Sequence, residues 1–394
     1  MVVAVALVVD TALWHRRFAR ALARAKVPVR PPTTYPSITV IRPVRGLDVG
    51  AEDNFRAALT TTYPGEVETL FVFDDASDPA VPVAQRVAAE HRASGAPGTV
   101  AILFAGERPP RRTGKLHAMI VGMRAARGTL IAFGDSDTRP SPGLLTALVD
   151  ALLASSDVGC TFAPVVVSDP PETSGDVGYA LMLNALYGPC VAWSAGSLGR
   201  LPFIMGQIMV FRPEALAAVG GPACAEGQLV DDMYIGRCLR DAGYANVMIN
   251  ETLTITNSGT SLRDFLETYR RWMLFGQDGI PVRCTWPLWI RGVSSWLAAA
   301  ILVVALAVGA GGAALGALVV LAVQGELLNR LHVRFGGAPI PLRYRWVASS
   351  LFLVAPLVLA SMLWRSVEWR GQAYDLRRST DTRLAGAEAG AVPP

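Results

Sequence analysis

The chain has 394 residues, 52% of them hydrophobic and 17% charged, with a net charge of +4. At a mean hydropathy of +0.35 it is too apolar for an ordinary soluble enzyme and too mixed for a pure transporter. The length allows one large domain or two, a soluble domain joined to membrane helices is expected, and the modest charge gives no argument for a nucleic-acid partner. Lysine occurs only at Lys26 and Lys115, the other basic residues being Arg. The five cysteines (Cys160, Cys190, Cys224, Cys238, Cys284) show no CxxC spacing. They read as buried thiols in a reducing compartment, not as a disulfide frame or a zinc site.

The first element, Val2 to Trp14, is apolar but holds Asp10. It falls short of the ~20 residues of a membrane span, so residues 1–22 read as an N-terminal membrane anchor or interfacial helix. Arg16, Arg17, Arg20 and Arg24 follow and put this flank in the cytoplasm by the positive-inside rule. No small-residue cleavage site follows, which argues against a removed signal peptide. Val29 to Ser37 is a Pro-rich linker.

Strand-like runs then appear at Ile38–Ile41, Thr69–Phe73, Val100–Phe104, Leu130–Phe133, Cys160–Val167 and Ile208–Phe211, with helical patterns such as Gly114–Arg127 and Leu144–Ala154 between them. This alternation predicts an α/β domain with a mostly parallel sheet, whose ligands bind at the carboxyl ends of the strands. Past Trp286 the character changes. Val293 to Gln324 holds no charged residue and is long enough for two short spans folded about Gly309–Gly312, and Val347–Trp364, with Pro356 inside it, is a third candidate. Three crossings would carry the Arg-rich tail away from a cytoplasmic catalytic domain, against the charge rule. Residues 287–366 therefore read as a membrane domain of two or three hydrophobic segments, and 367–394 as a basic, partly disordered tail.

The acidic residues carry the chemistry. Leu130–Phe133 runs into Gly134-Asp135-Ser136-Asp137. In an extended segment residues i and i+2 point the same way, and two like charges so placed repel unless a hard divalent cation such as Mg²⁺ or Mn²⁺ sits between them. The plainer alternative is a solvated turn. A second strand ends in Asp74-Asp75, where a carboxylate can accept hydrogen bonds from a ribose or base; an Asp-rich turn would look the same. Lys115 and His117 open a helix behind a basic Gly turn, a plausible phosphate-binding helix start.

Asp231-Asp232 opens a helix that closes at Gly243. Acids favour helix N-termini for capping alone; the functional reading is a general base that takes a proton from an acceptor hydroxyl. In Ser261–Phe275, Leu262, Phe265, Leu266, Tyr269, Trp272 and Met273 form an apolar helical stripe. Arg270 and Arg271 stand beside Trp272, and Arg is suited to bidentate phosphate binding.

The succession "ITVIRPVRGLD", "FVFDDASDPA", "TGKLHAM", "FGDSDTRPSPG", "MGQIMVFRPEALAAVGG", "LVDDMYIGRCLRDAGY", "YRRW" and "VEWRGQAY" resembles the ceramide glucosyltransferase family, within the GT-A, family-2-like inverting glycosyltransferases. The resemblance runs from about Pro36 to Tyr374. It implies a GT-A (Rossmann-like) nucleotide-sugar-binding domain over 36–278 with C-terminal transmembrane helices. It implies that Asp74, with Asp75, contacts the nucleotide, that Asp135 and Asp137 hold a Mg²⁺ or Mn²⁺ diphosphate, and that Asp232 is the base. Lys115, Arg271 and Trp272 join the nucleotide-sugar site, the last two as the end of a (Q/R)-x-x-R-W motif whose first position is Thr268 here.

The implied activity is inverting transfer of a hexose, glucose first, from a UDP-sugar to the hydroxyl of a lipid, ceramide first. The chain would be a multi-pass membrane enzyme with a cytoplasmic catalytic domain, in a bacterial inner membrane, with no obligate protein partner. The Leu-, Met-, Tyr- and Trp-rich stretch Gly178–Gly206 suits a lipid acceptor, and a core equally. The alternatives are a hopanoid, sterol or diacylglycerol acceptor, a processive polysaccharide synthase, and a non-catalytic membrane scaffold.

Overall fold

The computed structural model describes residues 2–24, 32–198, 200–280, 282–361, 363, 366–369 and 372–375. The strands are β1 (Ile38–Val44), β2 (Val67–Phe73), β3 (Thr99–Phe104), β4 (Leu130–Gly134), β5 (Thr138–Arg139), β6 (Val158–Phe162), β7 (Val165–Val166), β8 (Ile208–Phe211), β9 (Ala245–Met248), β10 (Leu253–Ile255), β11 (Ser366–Trp369) and β12 (Gln372–Asp375). The α-helices are α1 (Val2–Arg24), α2 (Ala51–Leu59), α3 (Val81–Ser94), α4 (Gly114–Ala125), α5 (Leu144–Leu153), α6 (Ser174–Leu181), α7 (Gly188–Leu198), α8 (Pro213–Ala218), α9 (Asp231–Asp241), α10 (Leu262–Gly279), α11 (Val282–Ala307), α12 (Gly311–Arg334) and α13 (Arg345–Ser361). They fall into two compact units. A sheet unit comprises 27–164, 200–256 and 365–394, and a helical unit comprises 1–26, 165–199 and 257–364. Residues 165–199 and 257–278, within the stretch read as one GT-A domain, thus group with the helices.

The α/β class expected from the sequence is the one adopted. The sheet unit is built on seven strands in the order β3-β2-β1-β4-β8-β6-β9. β1 pairs in parallel with β2 and β4, and β2 with β3. β6 pairs in parallel with β9, and β8 runs antiparallel to both its neighbours, β4 and β6, so the sheet is mostly parallel, as expected, and mixed through this one reversed strand. The run Cys160–Val167 is not one strand: it breaks between β6 and β7 at Ala163-Pro164, because proline brings no N–H to a ladder.

The period-2 pattern of the strands sorts side chains onto two faces. Ile38, Val40, Leu130, Ala132, Ile208 and Val210 pack against Leu144, Leu145, Leu148, Val149 and Leu152 of α5. Phe71 and Phe73 pack against Phe55 and Leu59 of α2 and Val81, Ala84 and Val87 of α3. Each fully buried side chain of this size contributes about 1.5–3 kcal/mol. This packing leaves the carboxyl ends of β1, β2 and β4 to the loops that follow them.

In the helical unit, α1 packs with α7, α11 and α12. Trp14 meets Trp286 edge to face at 4.9 Å, and Asp10 pairs with Arg291 of α11. The charge that interrupts the first apolar run therefore has a partner. Two helices among the described residues, Leu288–Ala307 and Gly311–Arg334, are long and apolar enough to cross a membrane, and they meet at the Gly-rich break the sequence marked. The third segment, α13, has Pro356 inside it. Of the expected basic tail, β11 and β12 pair as an antiparallel hairpin, and 376–394 lie outside the described residues.

Candidate active site

β4 delivers the D-x-D pair. Burial alternates along its exit: Asp135 and Asp137 are partly exposed while Ser136 is buried, as an extended segment requires for i and i+2 to share a side. The main chain here is held tightly. The Asp135 N–H donates to Gln207 O at 2.9 Å, the Thr256 N–H to Asp137 O at 3.1 Å, and Thr138 Oγ1 to Asp135 O at 2.7 Å. Ser136 Oγ donates to Asp48 Oδ2 at 2.6 Å.

Lys115 meets this pair from α4. Thr113 caps the helix, its side chain accepting from the Leu116 N–H at 3.1 Å, so Lys115 leaves the first turn. Its Nζ lies 2.7 Å from Asp135 Oδ1 and donates to Gly206 O at 3.3 Å. Burial alone would lower the ammonium pKa, but Asp135, Asp231 and Asp232 together raise it, so Lys115 stays charged. Asp231 and Asp232 stand in the first turn of α9. Asp231 Oδ1 accepts the Asp232 N–H and Asp232 Oδ1 the Met233 N–H, each at 2.8 Å. Burial first, then neighbouring Asp231, pushes Asp232 up to about 6 against the lowering pull of Lys115. Gly206 lies against the same carboxylate: a Cβ there would stand 2.5 Å from Asp232 Oδ2.

The loops after β1 and β2 form a second group. Asp74 Oδ2 is 3.8 Å from Arg45 Nε, and a Cβ on Gly114 would sit 3.7 Å from both Asp74 Oδ1 and Arg45 Nη1. Asp78 accepts from the Gly46 N–H at 2.7 Å and ties the two loops together. Asp75 is exposed, and its Oδ1 takes the Ser77 N–H at 2.7 Å, the Asp-turn arrangement. His117 turns away from the carboxylates, its Nε2 3.2 Å from Ala105 O.

Arg271 and Trp272 belong to the helical unit, on α10. Arg271 Nη2 reaches Thr268 Oγ1 at 3.5 Å, and Trp272 meets Tyr187 edge to face at 5.6 Å. Thr268 thus touches the arginine of its own motif. Within the sheet unit the structure brings together Lys115, Asp135, Asp137, Asp231 and Asp232, with Asp74 on the neighbouring loop. Arg42, Arg45, Asp48, Gly206 and the hydrogen bond between Asp231 and Asp232 were not singled out from the sequence; Asp78 stands out there only as an acid near Asp74-Asp75. A charge at Arg42, inside an otherwise apolar strand, was the signal available.

The donor set fits a hard divalent cation: two carboxylates one residue apart and partly exposed. Among the described residues no group of three or more His, Cys, Asp and Glu side chains is arranged to hold a metal. Two carboxylates suit an ion such as Mg²⁺, which takes its other ligands from water and substrate phosphates.

The family model for glycosyl transferase family 21 matches residues 1–382. The chain belongs to glycosyl transferase family 21. This family-21 chain is 24% identical over 249 residues to ceramide glucosyltransferase 3 of Caenorhabditis elegans, covering 62% of this chain and 51% of that protein. It is 23% identical over 260 residues to ceramide glucosyltransferase 1 of the same organism, covering 65% and 53%. It thus spans about half the length of these relatives. A UDP-forming cellulose synthase of Dictyostelium discoideum matches through its catalytic polypeptide at 26% identity over 165 residues, 41% of this chain and 15% of that one. Among solved structures, the mannosyltransferase PcManGT from Pyrobaculum calidifontis, in complex with GDP-Man and Mn²⁺, aligns at a TM-score of 0.49 with 18% identity, covering 92% of this chain and 98% of that chain. Glucosyl-3-phosphoglycerate synthase from Mycobacterium tuberculosis, with Mg²⁺ and UDP, aligns at 0.38 with 19% identity, covering 63% and 83%.

Proposed function

We propose that this family-21 chain is a membrane-bound, inverting hexosyltransferase that moves glucose from a UDP-sugar to the hydroxyl of a lipid acceptor, ceramide in the first instance. The observation that carries the reading is the convergence of Lys115 and Asp135, 2.7 Å apart, with Asp232, a carboxyl pushed up to about 6 beside them. The relatives named ceramide glucosyltransferase motivate the donor and the acceptor.

Asp232 acts as general base. A carboxylate with a pKa near 6 is ionised at neutral pH and still basic enough to take a proton in the transition state. It draws the proton from the acceptor hydroxyl as that oxygen attacks the anomeric carbon, in one displacement that needs no enzyme nucleophile. Lys115 keeps positive charge beside the phosphates, and Asp74 and Asp75 bind the nucleoside. Arg271 and Trp272, the end of the motif on α10, take part in binding the nucleotide sugar, and Arg suits bidentate phosphate contacts. Asp135 and Asp137 would hold Mg²⁺ or Mn²⁺, which neutralises the leaving diphosphate as a Lewis acid. The 36–278 stretch works as the transferase domain on the cytoplasmic side of a bacterial inner membrane, anchored through 1–22 and 287–366.

A membrane assay tests this. Membranes carrying the chain are given labelled UDP-glucose or UDP-N-acetylglucosamine, Mg²⁺ or Mn²⁺, and ceramide, diacylglycerol or hopanoid acceptors, with Asp232→Asn alongside. Label in a discrete ceramide band, absent in the variant, is the expected result. Label in another lipid keeps the mechanism and discards ceramide; label in polymer moves the chain to the polysaccharide synthases. Full activity in Asp232→Asn overturns the base assignment.

A further inference from the structure

Arg42 lies in the middle of β1 and is only 1% exposed. A guanidinium so deep is costly to desolvate, and a β-branched apolar residue would serve a buried strand better. What the guanidinium touches accounts for its presence. Nη2 donates to Thr138 O at 3.1 Å, to Thr138 Oγ1 at 2.9 Å, and to Asp135 O. Those oxygens bracket the D-x-D turn at its first and last residues.

The turn is also held by the Gln207 carbonyl, the Thr256 N–H and the Asp48 carboxylate on Ser136, and Lys115 pairs with the Asp135 side chain. Arg42 brings positive charge to the turn's main chain, through the carbonyls of Asp135 and Thr138. Its positive charge lies within one residue of both carboxylates, hydrogen-bonded to the main chain of Asp135 and Thr138. Two carboxylates one residue apart repel each other, and a cation beneath the turn offsets that repulsion while its Nη2 group fixes the main-chain path. Gly134 completes the fit: a Cβ there would sit 3.5 Å from Arg42 Nη1, so the strand end and the guanidinium lie in direct contact.

We propose that Arg42 is a positioning residue that shapes the turn Asp135–Thr138 so that Asp135 and Asp137 face one hard divalent cation together with the donor diphosphate. The role rests on the metal-dependent reading given above. It needs both the charge and the planar placement of Nη2 between acceptors on Asp135 and Thr138, and lysine, a point charge on a flexible stem, supplies only the first.

The test is Mn²⁺ binding by the purified full chain in detergent with UDP present, unbound Mn²⁺ being read by its paramagnetic resonance signal. Arg42→Lys, Arg42→Met and Thr138→Val are compared with the wild type, each with its melting temperature. Groups that orient metal ligands from behind typically change metal affinity by about 10–100-fold. Arg42→Met is expected in that range, with Arg42→Lys between it and the wild type. Thr138→Val, which removes one acceptor of Nη2 and leaves every charge in place, is expected to weaken binding by less. A purely structural role would lower the melting temperature and leave Mn²⁺ affinity per folded molecule unchanged, and that result overturns the proposal. If Arg42→Met does not fold, Arg42→Lys and Thr138→Val decide: wild-type affinity in both overturns it. A wild type that binds no Mn²⁺ with UDP overturns the metal reading and the Arg42 role with it. Wild-type binding matched by every variant overturns the Arg42 role alone.

Discussion

Lys115 Nζ sits 2.7 Å from Asp135 Oδ1, and its charge also bears on Asp231 and Asp232. One ammonium therefore links the end of β4 to the start of α9. Replacing it by methionine keeps most of the volume and removes the charge. Because Lys115 lowers the Asp232 pKa, the acid limb of the pH–rate profile should move to higher pH in Lys115→Met. Loss of one preorganised charge at such a site costs on the order of 10²–10³ in turnover. Steady-state kinetics from pH 5 to 9 check both, and an unmoved limb would refute the linkage.

Asp232 should show opposite signs in activity and stability. Its carboxyl is raised from 3.8 to about 6, so the folded state binds a proton more tightly than the unfolded chain does. The ionised carboxylate then costs stability as pH rises from about 4 to 6, and the full cost is present above that window. Asp232→Asn removes it. The variant should lose about 10²–10⁴ in turnover while gaining about 1–3 kcal/mol of stability at pH 7.5. The gain should shrink as pH falls below 6. Melting curves at pH 7.5 and pH 4.5 are the check.

Gly206 has no room for a side chain. A Cβ would stand 2.5 Å from Asp232 Oδ2 and 2.7 Å from Asp232 Cβ, so Gly206→Ala must push the carboxylate aside. A shift of about 1 Å in a catalytic group costs roughly 10²-fold. Turnover should fall by about that factor with nucleotide affinity little altered, measured by UDP titration beside the rate assay. A fall in UDP affinity that equals the loss of turnover would contradict it.

Asp176 organises the entry to α10 and was not singled out from the sequence. It is 1% exposed and accepts from the N–H groups of Glu172, Thr173, Gly259 and Thr260 and from Asn257 Nδ2, at 2.8–3.2 Å. Truncation strands several buried donors at once, each costing about 1–3 kcal/mol. Asp176→Ala should lose about 3–5 kcal/mol, and Asp176→Asn less. Thermal unfolding in detergent gives the comparison, and equal melting points would refute the account.

The two C-terminal helices long and apolar enough to cross a membrane and the α/β class could be read before any coordinates, because hydrophobic period and run length are local properties. β4 and its exit were readable for the same reason: an apolar run followed by Gly-Asp-Ser-Asp has one plausible direction for its two carboxylates. Arg42 was not readable in that way. Its purpose depends on Asp135 and Thr138, far along the chain, and nothing beside it in sequence marks it as more than a charge in a strand. The reversed direction of β8 was equally hidden, since an antiparallel strand has the same period of two as a parallel one. Asp75 and Asp74 look alike in sequence; only the turn at Ser77 separates them.

The sequence by itself determined the central strands β1–β4 and β8, the helices after Thr113 and Gly143, the two long apolar helices, and where acidic residues end a strand or open a helix, since 2.0 and 3.6 periods and capping preferences act over a few residues. Tertiary structure alone decided that Lys115 bridges Asp135 and Asp231–Asp232, that Gly206 presses on the base, and that Arg42 underlies the D-x-D turn. Those contacts join residues brought together by strand pairing and helix packing, whose partners are chosen by shape and burial across the whole sheet and leave no local trace.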